Sequence, residues 1–179
     1  MSHRIYLLKP TILVTQVQTF TTMLEIEILP HGIYDANNSF TAAGADVTFT
    51  GAGFLKLGGA TVTSIGSNFT AGNGTVEYDY AGDQNIKTRS YYNLILDNGV
   101  KKTIGNTIIS NDVTITSDGT LDIGTGDDNL TIGGNFSNSG TFTTSGETIT
   151  NDSSPNLSLM SLRIDTNVRL IPNPFDFVS

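Results

Sequence analysis

Side chains able to do chemistry are sparse in this sequence and gather in two places. The first is Gly124-Thr125-Gly126-Asp127-Asp128-Asn129-Leu130, which fits one copy of a glycine-aspartate nonapeptide of the calcium-binding kind. Such nonapeptides hold the ion because successive copies stack half-sites of carbonyl and carboxylate oxygen between adjacent turns. The next stretch, Gly133-Gly134-Asn135-Phe136-Ser137-Asn138, lacks the required glycine and carboxylate. Half the oxygens are therefore missing. The segment reads first as a tight Gly/Asp turn between strands at 121–123 and 130–132. Asp127 and Asp128 then offer no more than an adventitious Ca²⁺ site, and no cofactor is expected.

The second place is the stretch "YDYAGDQNIKTRSYYN", Tyr78 to Asn93. It is looser than its surroundings and looks like an insertion. Asp79, Asp83 and Arg89 would supply polar contacts there, and Tyr91 and Tyr92 could stack on sugar rings. Tyr78 and Tyr92 also suit core or rim packing. Cleaving a glycoside would need two carboxylates facing each other across the bond. Asp118 and Asp122 share one repeat, but Asp118 falls in a turn and Asp122, between Leu121 and Ile123, faces outward. Neither histidine, His3 or His31, has a nucleophile placed beside it. The chain contains no cysteine, which removes disulfides, thiolate nucleophiles and Cys-ligated zinc.

The elements that must carry these residues are short strands. Period-2 segments recur from Val47-Thr48-Phe49 through Leu130-Thr131-Ile132, separated by Gly, Asn, Asp and Ser. Sustained helical periodicity is missing. Gly-Thr-apolar phrases start at Gly74, Gly119 and Gly140, and Asn68-Phe69-Thr70 returns as Asn135-Phe136-Ser137. Both sets fit multiples of a unit of about 21 to 23 residues, a solenoid period. Five Thr-x-Thr pairs start at Thr48, Thr61, Thr114, Thr141 and Thr148, each with an apolar centre. In a strand that centre points inward while the threonines face solvent. The spacing predicts an all-β fold, a right-handed parallel β-helix of five to six coils over 33–150. Its body would be roughly 25 to 30 Å long at the usual strand separation. Residues 1–32 form an N-terminal strand or cap, and 151–179 a C-terminal cap or the start of a truncated following domain. An antiparallel sandwich would show similar alternation without this long repeat step.

Charge narrows the partners. Nine basic residues against 17 acidic ones give a net charge of −8, which argues against nucleic acid. No apolar run approaches the roughly 20 residues of a spanning helix, so no membrane insertion is expected. The stretch from Met1 to Phe20 reads as strand and not as a convincing signal peptide. The composition, rich in Thr, Ser, Asn and Gly, suits an extracellular, β-rich protein.

The phrases "GTVEYDYAGDQNI", "SYYNLILDNG", "KTIGNTIISNDVTITSDGTLDIG" and "DNLTIGGNFSNSGTFT" resemble the repetitive β-solenoid regions of large secreted bacterial adhesin-like surface proteins. The likeness covers about residues 33–150. Leu170-Ile171-Pro172-Asn173-Pro174-Phe175 is similar to the opening of the C-terminal sorting domain of type IX secretion substrates, with Ile171 at the usual Tyr. It also reads as a Pro-Asn-Pro turn. Together these resemblances imply an exported, cell-surface segment of a larger protein, non-enzymatic, acting as a rigid spacer or adhesive scaffold. Its partners would be a surface polysaccharide or another surface protein. The alternative is a carbohydrate-binding or polysaccharide-degrading β-helix, and a minor one is ice binding by outward threonines. An enzyme should show converging carboxylates with a basic residue along one face. A spacer should show Thr, Ser and Asn without convergence.

Overall fold

The structure is a computed structural model that describes residues 25–103, 105–123, 129–144 and 148–151. It also describes the strands Arg4–Tyr6, Ile12–Val14, Gln18–Thr19, Leu157–Leu159 and Arg169–Ile171. Every paired strand is parallel to its neighbours, and no helix occurs among the described residues. Along each ladder a strand pairs with the equivalent strand of the neighbouring coil, so the fold is a parallel β-solenoid.

One sheet of eight strands runs the length of the stack. This spine comprises Ile12–Val14, Ile33–Ala36, Phe54–Leu57, Thr75–Tyr78, Asn93–Leu96, Val113–Ile115, Phe136–Asn138 and Leu157–Leu159. Six of its strands fall within 33–150, in line with the five to six coils expected there. Two other faces complete each coil. In the N-terminal part, a leading sheet precedes the spine strand: Arg4–Tyr6, Glu25–Ile28, Asp46–Phe49 and Phe69–Thr70. A trailing sheet follows it: Gln18–Thr19, Phe40–Thr41 and Val62–Ser64. In the C-terminal part the trailing sheet is Gln84–Ile86, Gly99–Thr103, Gly119–Ile123 and Thr141–Thr144. The C-terminal leading sheet is Ser90–Tyr91, Thr107–Ile109, Asn129–Ile132, Thr148–Asn151 and Arg169–Ile171.

The core lies inside the coils. Two inward rows of the spine stack Tyr34, Leu55, Val76, Leu94, Val113 and Phe136, and beside them Ala36, Leu57, Tyr78, Leu96 and Ile115, all buried. Alternation explains why: successive side chains of a strand take opposite faces, and the apolar set takes the one that excludes water. Phe49, Val62, Ile115 and Phe142, centres of four Thr-x-Thr pairs, are buried as expected, as are Leu130, Ile132 and Phe136. The fifth centre, Ile149, lies outside the residues whose side chains are described.

The repeat phrases mark position less faithfully than their spacing suggests. Thr120 and Thr141 are register partners, so the step from Gly119 to Gly140 is a true coil. Gly74, however, leads into the spine, whereas Gly119 and Gly140 open trailing strands. Phe69 belongs to a leading strand and Phe136 to the spine. Matching phrases therefore sit on different faces, because a turn followed by an inward apolar residue is needed at every corner. Coil length is also uneven. The register row Ile12, Tyr34, Leu55, Val76, Leu94, Val113, Phe136 and Leu157 takes its shortest step from Val76 to Leu94 and its longest from Val113 to Phe136. The capping roles expected of 1–32 and 151–179 fall mostly on residues outside the described set. The strands within those segments pair in the same ladders as the body.

Candidate functional site

The stretch expected to be a loose binding loop is an ordinary coil, and the shortest along the spine. It holds two strands, Gln84–Ile86 and Ser90–Tyr91, each paired with the coil that follows. Neither pairs with the coil before it. The N-terminal trailing sheet ends at Val62–Ser64 and its successor begins at Gln84–Ile86. The leading sheet ends at Phe69–Thr70 and resumes at Ser90–Tyr91. Only the spine crosses this level without a break. The break coincides with a change of coil length. The step from Val76 to Leu94 is shorter than the step from Leu55 to Val76 that precedes it. At this level one face keeps its register and the other two lose it.

Polar side chains replace the missing ladder bonds. Gln84, only 3 % exposed, donates from Nε2 to Leu57 O and Gly59 O, both at 2.7 Å. Its Oε1 accepts from Tyr80 N at 3.2 Å, so the amide acts as a detached peptide group. Arg89 donates from Nη2 to Gly66 O across the break at 2.8 Å, and from Nη1 to Thr88 O at 2.9 Å. Lys101 is fully buried and points its ammonium at three carbonyls, Tyr80 O, Gly82 O and Asn98 O. Loss of solvent lowers its pKa to about 8, against the opposing pull of Asp79, Asp97 and Asp83.

Tyr91 corrects the expectation of a sugar-stacking ring. It is 1 % exposed and packs with its ring centroid 5.7 Å from that of Phe69. Its hydroxyl donates to Lys87 O at 2.5 Å, which leaves the Tyr78 hydroxyl to donate to it at 3.1 Å. Tyr78 in turn accepts from Lys87 N at 3.0 Å. The three groups close a ring of hydrogen bonds inside the coil. Burial pushes the Tyr78 phenol up to about 12, with Lys87 N–H and Tyr91 opposing. Burial, and then the neighbouring Tyr78 hydroxyl, raise Tyr91 well above the ordinary tyrosine value. Arg89 is likewise committed to backbone carbonyls. Tyr92 is half-buried, and Asp83 is exposed.

Asp79 belongs to a different constellation. On the outer face of the spine, Asp35, Lys56 and Glu77 are register partners in three successive strands. Lys56 Nζ lies 2.9 Å from Glu77 Oε2, and Glu77 is only 8 % exposed. Asp79 follows two positions further along the chain, and the Oδ1 atoms of Asp35 and Asp79 are buried without a hydrogen-bond partner. Loss of solvent raises the Asp79 pKa, and Glu77 adds to it, with Lys56 opposing and Asp35 adding further. Partial burial alone would lower Lys56. The hydrogen bond and charge of Glu77, then Asp79 and Asp35, outweigh it and raise that pKa. Sequence reasoning found Asp79 and missed Asp35, Lys56 and Glu77. Their even spacing was the available signal, since one coil step stacks like positions.

Asp127 and Asp128 lie outside the described residues. Among the described residues no group of three or more His, Asp or Glu is placed to hold a metal ion, and no helix is long and apolar enough to cross a membrane. Asp118 is exposed in a turn and Asp122 lies on the outer side of its strand. The five Thr-x-Thr pairs fall one in each of the five sheets, so they form no common threonine array. Set against known proteins, the chain matches no family model, no curated protein and no solved structure.

Proposed function

We propose that this chain is a non-enzymatic structural and adhesive module of a secreted or cell-surface protein, a rod that spaces and presents binding surface. One observation carries the reading: the spine is a ladder of eight parallel strands, and the six between 33 and 150 stack a buried apolar row. Seven inter-strand steps span roughly 34 Å at the usual separation. Such a ladder fixes the contour length between its ends, which is what a spacer needs. The likeness of 33–150 to adhesin-type solenoid regions supports export and a surface polysaccharide or surface protein as partner.

Carbohydrate binding or cleavage is the second reading, and the Asp35, Lys56, Glu77 and Asp79 constellation favours it, since carboxylates and a base share one outer face. Lys56 is engaged by Glu77, however, which argues for a structural ion pair. A glycan array and a reducing-end assay on a panel of polysaccharides separate the two. The spacer reading expects no turnover and any binding to survive Asp79→Asn. Turnover lost in Asp79→Asn would replace it with the enzymatic one.

A further inference from the structure

We propose that residues 62–91 form a built-in joint, at which the N-terminal and C-terminal coils move as two stiff segments about the spine. Three observations converge on it. Both flanking ladders stop at this level, the trailing one between Val62–Ser64 and Gln84–Ile86 and the leading one between Phe69–Thr70 and Ser90–Tyr91. The spine passes through intact, with Thr75–Tyr78 in full register on both sides. What bridges the two broken faces is side chain: Gln84 to Leu57 O and Gly59 O, Arg89 to Gly66 O, and the Phe69–Tyr91 ring contact.

The mechanics follow from these bonds. A backbone ladder resists bending because every bond in it is held by neighbours in the same strand. Gln84 and Arg89 reach across on rotatable side-chain torsions, and each can follow its carbonyl through a small displacement. Bending that opens the leading or trailing face therefore stretches side chains, while the spine acts as the leaf of the hinge. Collective motions of this kind run on the microsecond to millisecond scale. The joint is a property of the coil geometry and stands whether or not the rod binds a surface.

The absence of cysteine makes the test clean. Two double-cysteine variants of the full chain, Thr63→Cys with Thr120→Cys and Asn85→Cys with Thr141→Cys, carry spin labels on the trailing side, separated by the same number of coils. The first pair spans the break between the two trailing sheets; the second lies within the C-terminal trailing sheet. The distance distribution of the spanning pair should be about twofold broader, as expected for a hinge sampled during freezing. Gln84→Ala should broaden the spanning pair further and leave the other unchanged. Equally narrow distributions in the parent background would overturn the proposal. Should Gln84→Ala not fold, the parent comparison decides alone.

Discussion

Tyr91 shows how a residue type with functional promise is drawn into structure. Its hydroxyl, the Tyr78 hydroxyl and the Lys87 peptide satisfy one another in a buried ring. Tyr91→Phe removes one member and orphans Lys87 O and the Tyr78 proton. A loss of about 1–3 kcal/mol in urea unfolding is expected. Tyr78→Phe should cost a similar amount, and the double variant less than the two together, since the second loss removes an already broken ring. Simple additivity would mean the hydroxyls act separately. Proton linkage gives a second prediction. Between pH 8 and the ordinary lysine value of 10.5, folded Lys101 holds fewer protons than the unfolded chain, so stability rises with pH across that window. Above the ordinary tyrosine value of 10.0, folded Tyr78 and Tyr91 hold more protons, and stability falls as pH climbs towards about 12. Urea midpoints should thus pass through a maximum near pH 10. Lys101→Met should flatten the rising limb, and an unchanged limb in that variant would assign the rise to another group.

Among the elements, corner glycines decide whether one coil can lie on the next. A Cβ at Gly140 would meet the carbonyl oxygens of Thr116 and Gly119, and one at Gly119 that of Leu96. These are backbone atoms of the stack, unable to move aside without disturbing strand pairs. Gly140→Ala is expected to cost about 1–3 kcal/mol by overpacking, read as a lower urea midpoint. Tolerance of the change would mean that the coils are less closely stacked at this corner. The alternation of each strand, its inward residue and its flanking turn were legible in sequence, because period and turn chemistry are local. The equivalence of strands between coils was not. Gly74 and Gly119 carry the same phrase yet serve different faces, and only pairing reveals that difference. The same holds for Asp35, Lys56 and Glu77, whose meeting depends on which coil stacks on which.

For the whole molecule, the spine makes the solenoid one continuous object, while its flanks are divided at the level of the coil from Val76 to Leu94. Calcium binding is also a matter of this scale. A half-site in one coil needs a matching half-site in the next, and Gly133 to Asn138 supplies no carboxylate there. Millimolar calcium should leave the melting temperature of the full chain unchanged, as followed by circular dichroism. A rise of several degrees, abolished by Asp127→Asn with Asp128→Asn, would overturn that expectation.

By itself the sequence determined the solenoid class, the inward apolar rows and the approximate coil number, since each depends on spacing within about one turn of the chain. Only the tertiary structure decided which residues meet. It placed Tyr91 in the core and committed Arg89 to Gly66 O, and it moved Asp79 from an expected loop to the constellation beside the spine. The physical reason is the variable coil step. A coil shortened between Val76 and Leu94 alters no local pattern. At that level two backbone ladders give way to a few side-chain bonds, and pairing resumes in the coils that follow.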